Sequence, residues 1–160
     1  MTARWLPSAL TQRSVLEVLV EARVLDEAAA FRALQVSTQT GESPVEVIHQ
    51  LALAPDETVT QALSLAFEIP IVKEQDMAPE ALSLPALSPG FLRQRRAMPL
   101  SMDEDRVLVA VVDPLEDIGV KAIRFAAKRS IDLRLVTYPQ WMQAFAAAYG
   151  DVLSQREPEI

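Results

Sequence analysis

Apolar residues between positions 11 and 65 recur at the three-to-four spacing of amphipathic helices. Val15, Val18, Leu19 and Ala22 follow an i, i+3, i+4, i+7 stripe, which places them on one helix face. Polar and capping residues divide this region into four short helices. The second helix carries an apolar face that includes Phe31, and we expect that face to pack inward.

Helix-start signals occur at corresponding points in this region. Ser14 to Glu17 and Ser43 to Glu46 both have the capping-box pattern. In such a box the serine hydroxyl accepts an orphan backbone N–H and the glutamate reaches back to the serine. Gly41 follows the second helix and is predicted to end it.

A shift of 29 residues places the first helix pair on the second. Under this shift Ser14 falls on Ser43, and Leu34 falls on Leu63. The pattern predicts a duplicated helix-turn-helix unit. The alternative is that any two capped amphipathic helix pairs look alike without being a true duplication.

The pattern changes after residue 69. Pro70 ends the fourth helix, and residues 69–72 (Ile-Pro-Ile-Val) are predicted to be extended. Ser88-Pro89 predicts the start of another helix. Two strands are predicted at residues 97–102 and 106–112, and the three acidic residues between them indicate a polar hairpin turn.

The rest of the chain predicts a helix, a strand and a last helix. Asp117 is expected to cap a helix that extends through Lys128, with Phe125 among its packing residues. A third strand is predicted around residues 133–136. The last helix is expected to stop at Gly150.

These elements predict an α+β fold. Residues 1–69 form a helical bundle of duplicated helix-turn-helix units, and residues 70–150 form a small α/β unit with a roughly three-stranded sheet. Residues 151–160 are polar and are expected to form a linker or tail.

Composition and charge narrow the function classes. The chain has a net charge of −7 and 6% aromatic residues, so we expect no nucleic-acid partner. Its apolar runs are far shorter than a bilayer span of about 20 residues, so we expect no membrane insertion. Residues 1–69 carry 4 basic and 9 acidic side chains, whereas residues 70–150 carry 10 of each. The acidic helical half therefore suits a basic partner surface.

The sequence lacks the patterns that catalytic and metal sites need. It has no cysteine, and His49, its only histidine, lies in a helical pattern that predicts a surface or half-buried side chain. Its four glycines are too far apart for a Gly-rich phosphate loop or a dinucleotide-binding fingerprint. We therefore expect no catalytic, cofactor-binding or metal-binding residues, and no enzyme activity in this chain.

Three segments carry motifs that can be compared with known families. Residues 69–72 match a Leu-Pro-Phe-Val-like stretch that ends a duplicated helical segment. Residues 95–100 (Arg-Arg-Ala-Met-Pro-Leu) and 109–114 (Val-Ala-Val-Val-Asp-Pro) match two motifs of the α/β domain that follows it. Over about residues 13–150 the chain thus resembles the N-terminal region of the type II secretion ATPase, the E protein, and its type IV pilus relatives.

The resemblance implies a non-catalytic domain that tethers a motor to the inner membrane. The implied partner is the cytoplasmic domain of the membrane-spanning L protein, and the implied location is cytoplasmic, peripherally associated with the inner membrane. Family ATPases are hexamers that carry their ATP-binding Walker motifs in a later region. No Walker motif occurs here, so the chain is expected to be an N-terminal fragment of such an ATPase.

Two places are candidates for partner contact. Trp5 and Leu6 precede the first capped helix and have no counterpart in the repeat, so they are candidate apolar anchors. Glu17 and Glu21 lie on the first helix and are candidates for an acidic rim. The alternative for Trp5 is that it covers the core of its own bundle.

A cyclic di-GMP sensor with degenerate motifs is the alternative function. Relatives that bind this nucleotide carry Arg-Leu-Gly at each repeat start and a further glycine downstream. The corresponding positions here are residues 14–16 with Arg23, and residues 43–45 with Ala52. The arginines and glycines of the pattern are absent, which removes an arginine fork for phosphate and close approach of the backbone.

Overall fold

The computed structural model describes residues 12–77, 84 and 87–156, with side chains described between residues 15 and 150 of these ranges. The α+β fold predicted from the sequence is confirmed. In chain order the elements are α1 (Gln12–Glu21), α2 (Glu27–Thr40), α3 (Pro44–Gln50), α4 (Asp56–Phe67), a short 3-10 turn (Glu74–Met77), α5 (Pro89–Arg95), β1 (Ala97–Met102), β2 (Arg106–Val111), α6 (Ile118–Ala127), β3 (Ser130–Leu135) and α7 (Tyr138–Arg156).

The two helix pairs have the same turn between their helices. Arg23 after α1 and Ala52 after α3 both adopt left-handed backbone angles, with φ of 60° and 53°. The Arg23 N–H donates to the Val20 carbonyl at 3.0 Å, and the Ala52 N–H donates to the His49 carbonyl at 3.1 Å. Both the turns and their hydrogen bonds are separated by 29 residues, which supports the predicted duplication.

The second helix of each pair also ends in the same way. Gly41 ends α2 with a φ of 77°, as predicted. The Ser37 hydroxyl donates to the Glu42 carbonyl at 2.6 Å, and the Ser64 hydroxyl donates to the Ile69 carbonyl at 2.7 Å. These two bonds are separated by 27 residues, so the second pair is two residues shorter than the first.

The two predicted capping boxes are only partly correct. Helix α1 begins two residues before Ser14, so Ser14 lies inside the helix rather than at its N-cap. Ser43 does cap α3, since its hydroxyl oxygen accepts the Val45 N–H at 3.2 Å. Glu46 does not complete that box, because its carboxylate binds Arg96 in the α/β half.

The sheet has the strand order β1-β2-β3. Strands β1 and β2 form an antiparallel hairpin, and β2 and β3 run parallel with α6 as the crossover. The segment after the helical half joins the free edge of β3. There the Val72 N–H donates to the Leu135 carbonyl at 2.8 Å, and the Leu135 N–H donates to the Pro70 carbonyl at 2.9 Å. The extended segment predicted at residues 69–72 therefore attaches to the sheet.

Two helix boundaries differ from the prediction. Asp117 stands at the N-cap position of α6 without a side-chain capping bond, and the Gly119 N–H donates instead to Glu116 Oε2 at 2.8 Å. Helix α7 continues through Gly150 to Arg156, so the predicted stop at Gly150 is wrong and part of the predicted tail is helical. A glycine ends a helix only where the chain turns into the left-handed region, and α7 does not turn there. No helix in the described ranges is both long and apolar enough to cross a membrane.

Most of the predicted apolar faces are buried, with two clear exceptions. Trp141, Phe145 and Tyr149 line one side of α7, and the Trp141 and Phe145 rings stack with centroids 4.9 Å apart. Phe31 on α2 and Phe125 on α6 are instead 63% and 82% exposed. Their predicted inward packing is wrong, because both lie outside the arc of each helix that faces the core.

Candidate functional site

The acidic face predicted on α1 is exposed. Glu17 and Glu21 both lie on the outer side of the helix, and Val15 and Leu19 on the inner side are fully buried. The two glutamates stand four residues apart, so their charges add on one helix face. The last turn of α1 carries no basic residue to offset them. This face therefore offers negative charge on a helix that the core holds in place.

The predicted apolar anchors cannot be compared with this face. Trp5 and Leu6 lie outside the described residues. The structure thus supports the exposure of the acidic rim alone, and the combination of the rim with an apolar centre stays a prediction.

An ion pair joins the helical half to the α/β half. Arg96 Nη2 donates to Glu46 Oε1 at 2.6 Å, and the side chains of Glu46 and Arg96 are only 9% and 18% exposed. The guanidinium group also lies over the rings of Tyr138 and Trp141, 5.3 and 5.7 Å from their centroids. Sequence reasoning assigned the basic residues here to the helix dipole and missed this partner, which lies 50 residues away in the chain.

The single histidine contributes to the same junction. His49 is half-buried, as predicted, and its Nδ1 lies 2.8 Å from Asp56 Oδ1. Its ring packs on Tyr138 with centroids 4.7 Å apart. Burial raises the pKa of the Tyr138 phenol, which is also affected by Arg96 and Glu46. His49 thus serves the contact between the two halves.

A second polar contact crosses the junction at the end of β2. The Ser43 hydroxyl donates to Asp113 Oδ2 at 2.5 Å, and the Leu115 N–H donates to Asp113 Oδ1 at 2.8 Å. Burial raises the pKa of Asp113, although both hydrogen bonds favour the ionised form. The residue belongs to the Asp-Pro motif seen in the sequence, but only the structure shows its contact with the cap of α3.

A neighbouring carboxylate holds α5 and α6 together. Arg95 binds Glu116 through two parallel hydrogen bonds of 2.9 and 3.0 Å. Burial raises the pKa of Glu116, and the Arg95 bonds oppose that rise. Together with Asp113, this pair fixes the loop between β2 and α6.

These buried polar groups are structural rather than catalytic in their geometry. Each carboxylate is paired with an arginine or a hydroxyl of the same chain, so none is aimed at an open cleft. Within the described ranges no three His, Asp or Glu side chains form a group that could hold a metal ion. The outer surfaces are therefore the places where a partner can act.

The positions that correspond to the cyclic di-GMP pattern have other roles here. Val15, Leu16 and Val45 are buried in the helical core, and the Ser43 hydroxyl is engaged by Asp113. Arg23 is exposed at the left-handed turn after α1. The second turn, at Ala52, likewise lacks the glycine of the pattern.

Comparison with known proteins gives a family match in the α/β half and beyond. The family model described as the MshEN domain matches residues 67–155. Type II secretion system protein E of Xanthomonas campestris pv. campestris is 26% identical over 116 residues, which is 70% of this chain and 20% of that protein. The type IV pilus assembly ATPase PilB of Thermus thermophilus is 23% identical over 138 residues, covering 84% of this chain and 15% of that protein. The chain thus spans a fifth or less of the length of these relatives.

Solved structures share the fold. The N-terminal domain of XpsE in one crystal form has a TM-score of 0.71 at 19% identity, with 92% of this chain and 99% of that chain covered. A structure of MshE with cdg has a TM-score of 0.61 at 18% identity, with coverage of 84% and 98%.

Proposed function

The chain belongs to the MshEN domain family, and from this premise we propose that it is the N-terminal docking domain of a type II secretion ATPase. In this proposal it tethers the motor to the inner-membrane platform by binding the cytoplasmic domain of the L protein. The domain itself is non-catalytic, and the complete protein is a hexameric ATPase that works at the cytoplasmic side of the inner membrane.

The observation that carries this proposal is the extent of the structural match. The XpsE N-terminal domain aligns with 92% of this chain and is itself covered almost completely. The sequence relative named as protein E shares 70% of the chain but only 20% of its own length. This is the relation expected between a separate N-terminal domain and a longer ATPase, and the polar groups of the described core are already paired internally.

The contact surface we propose includes the acidic face of α1. Glu17 and Glu21 are exposed on a helix whose other side is buried, so the face is rigid before a partner arrives. Acidic groups at the rim of an interface mainly accelerate association and make it salt-dependent. Trp5 and Leu6 remain the proposed apolar anchors beside this face.

The test of this face is a charge reversal with a matched control. Glu17→Lys with Glu21→Lys should slow association with the L cytoplasmic domain at low salt by at least about tenfold, and the difference should shrink as salt is raised. The control is Glu57→Lys with Glu74→Lys, which makes the same change in net charge at exposed positions elsewhere. Equal association rates for the two double variants would remove the α1 face from the proposal.

Cyclic di-GMP binding is the second candidate because of one neighbour. The MshE structure is described with cdg, which we take to be this nucleotide. In the present chain the expected arginines and glycines are replaced, and Ser43 is bonded to Asp113. We therefore propose that the fold is retained without the nucleotide site. Saturable heat on titration with cyclic di-GMP would favour this second function.

A further inference from the structure

Helix α6 presents a basic face to solvent around one exposed aromatic ring. Lys121, Arg124 and Lys128 are exposed on this helix, and Phe125 between them is 82% exposed. The inner side of α6 is already packed on the sheet through Val120, Ile123 and Ala127, which are buried. Phe125 is thus not needed to hold the helix in place, and it exposes apolar area that water solvates poorly.

The basic face is one wall of an open groove. The groove has a volume of about 800 Å³ and lies between α6 and the turn that joins β1 to β2. Glu104 and Asp105 of that turn form the opposite wall, and Phe125 lies among the lining residues. The groove therefore has a cationic side, an acidic side and an aromatic ring.

The acidic wall is held in place by its own backbone bonds. Asp103 Oδ1 accepts the N–H groups of Asp105 and Arg106, both at 2.8 Å. The Ser130 N–H donates to the Asp105 carbonyl at 3.1 Å, which ties the turn to the start of β3. Both walls are thus fixed before any partner binds, which lowers the entropic cost of docking.

We propose that this groove docks an amphipathic segment of the L protein's cytoplasmic domain. The segment presents an apolar side chain to Phe125, acidic side chains to α6 and a basic or amide side chain to Glu104 and Asp105. The inference rests on the proposed function and adds a second contact surface in the α/β half, separate from the acidic face of α1.

The charge pattern favours a protein segment over a membrane surface. An anionic bilayer would attract Arg124 and Lys128 but would repel Glu104 and Asp105. A flat bilayer also does not fill a concave groove between a helix and a turn. A protein segment can match both signs of charge and fill the concave space around the ring, as helices do in apolar grooves.

The experiment is a titration of the complete 160-residue chain with the L cytoplasmic domain. Phe125→Ala should weaken binding at least about tenfold, since buried aromatic anchors dominate interface energies. The matched control is Phe31→Ala, which removes an exposed ring from α2 and should change binding less than about twofold. Arg124→Glu with Lys128→Glu should also weaken binding about tenfold, and circular dichroism checks that each variant is folded.

The outcomes separate this inference from the proposed function. Wild-type binding that is unchanged by Phe125→Ala overturns the groove while leaving the proposed function in place. A folded wild-type chain that does not bind the L cytoplasmic domain overturns both. Loss of binding to vesicles containing phosphatidylglycerol in the Arg124/Lys128 variant, with L binding intact, assigns the face to the membrane and overturns the inference. Concentration-dependent self-association of the wild type that is abolished by Phe125→Ala, with L binding intact, does the same in favour of a second copy.

Discussion

Glu46 and Arg96 are the residues whose pairing contributes most specifically to the junction between the halves. Replacing Glu46 with Gln leaves the Arg96 guanidinium largely buried without its anionic partner. We expect the free energy of unfolding to fall by about 3 kcal/mol, as for other buried ion pairs that lose one partner. Urea unfolding followed by circular dichroism measures the change.

The matched control is an exposed ion pair. Asp117→Asn removes the partner of Lys121, 3.5 Å away on the surface of α6, and should cost less than about 1 kcal/mol. The double variant Glu46→Gln/Arg96→Met should recover part of the loss, because it leaves no buried charge. Equal costs for Glu46→Gln and Asp117→Asn would contradict the assignment of a buried pair.

Asp113 predicts a pH-dependent effect with a definite sign. Because burial raises its pKa, the folded chain binds this proton more readily than the unfolded chain, whose aspartates have a pKa of about 3.9. The group's stabilising contribution is therefore full below that unfolded value and is lost as pH rises through the raised pKa. The Asp113→Asn variant should gain stability relative to the wild type over the same rise in pH.

Asp103 gives the opposite sign and serves as the control. Hydrogen bonds from the Asp105 and Arg106 N–H groups lower its pKa. Its contribution is present above the unfolded pKa and is lost as pH falls, so Asp103→Asn should lose stability relative to the wild type as pH rises. Urea unfolding of both variants across acidic and neutral pH measures the two trends, and parallel trends would contradict the assignment.

At the scale of elements, the packing of α6 on the hairpin depends on one glycine. A Cβ at Gly119 would lie 2.9 Å from the Ala97 Cβ and 3.0 Å from the Arg95 Cβ. Gly119→Ala should therefore destabilise the fold by about 1–3 kcal/mol through overpacking. Gly90→Ala in α5 meets no atom within 4 Å and should be neutral or slightly stabilising, which thermal unfolding of both variants checks.

The turns of the repeat make a second prediction at this scale. Arg23 holds a left-handed conformation that costs a non-glycine residue about 1 kcal/mol, so Arg23→Gly should stabilise the chain by a similar amount. Arg32→Gly removes the same side chain from the exposed interior of α2 and should destabilise by about 1 kcal/mol. A lower melting temperature for Arg23→Gly would show that its side chain, not its backbone, matters at that turn.

The elements themselves were largely predictable from periodicity, but their ends and partners were not. Strands β1 and β2 follow from two apolar runs around a polar turn, and the α2 end follows from Gly41. The end of α7 was missed because a glycine can also continue a helix. Phe31 and Phe125 were placed inward because periodicity weighs apolarity, although a face that binds a partner can be apolar as well.

At the scale of the whole molecule, the sequence identified the chemistry of the surface better than its geometry. The exposed acidic face of α1 followed from charge and helical spacing, since charged residues outside an apolar stripe face water. The groove beside Phe125 could not be predicted, because it is formed by residues of α6 and of a turn about 20 residues earlier. The links of Ser43 to Asp113 and Glu46 to Arg96 were equally hidden, since each joins the two halves across long stretches of chain.

The measurement that tests the central claim most directly is a set of calorimetric titrations of the intact chain. Separate titrations use the L cytoplasmic domain, cyclic di-GMP and ATP as ligands. We expect one saturable complex with the L domain, of about micromolar affinity or tighter, and no saturable heat with either nucleotide. A folded chain that binds a nucleotide but shows no binding to the L domain at about 100 micromolar would contradict a docking function.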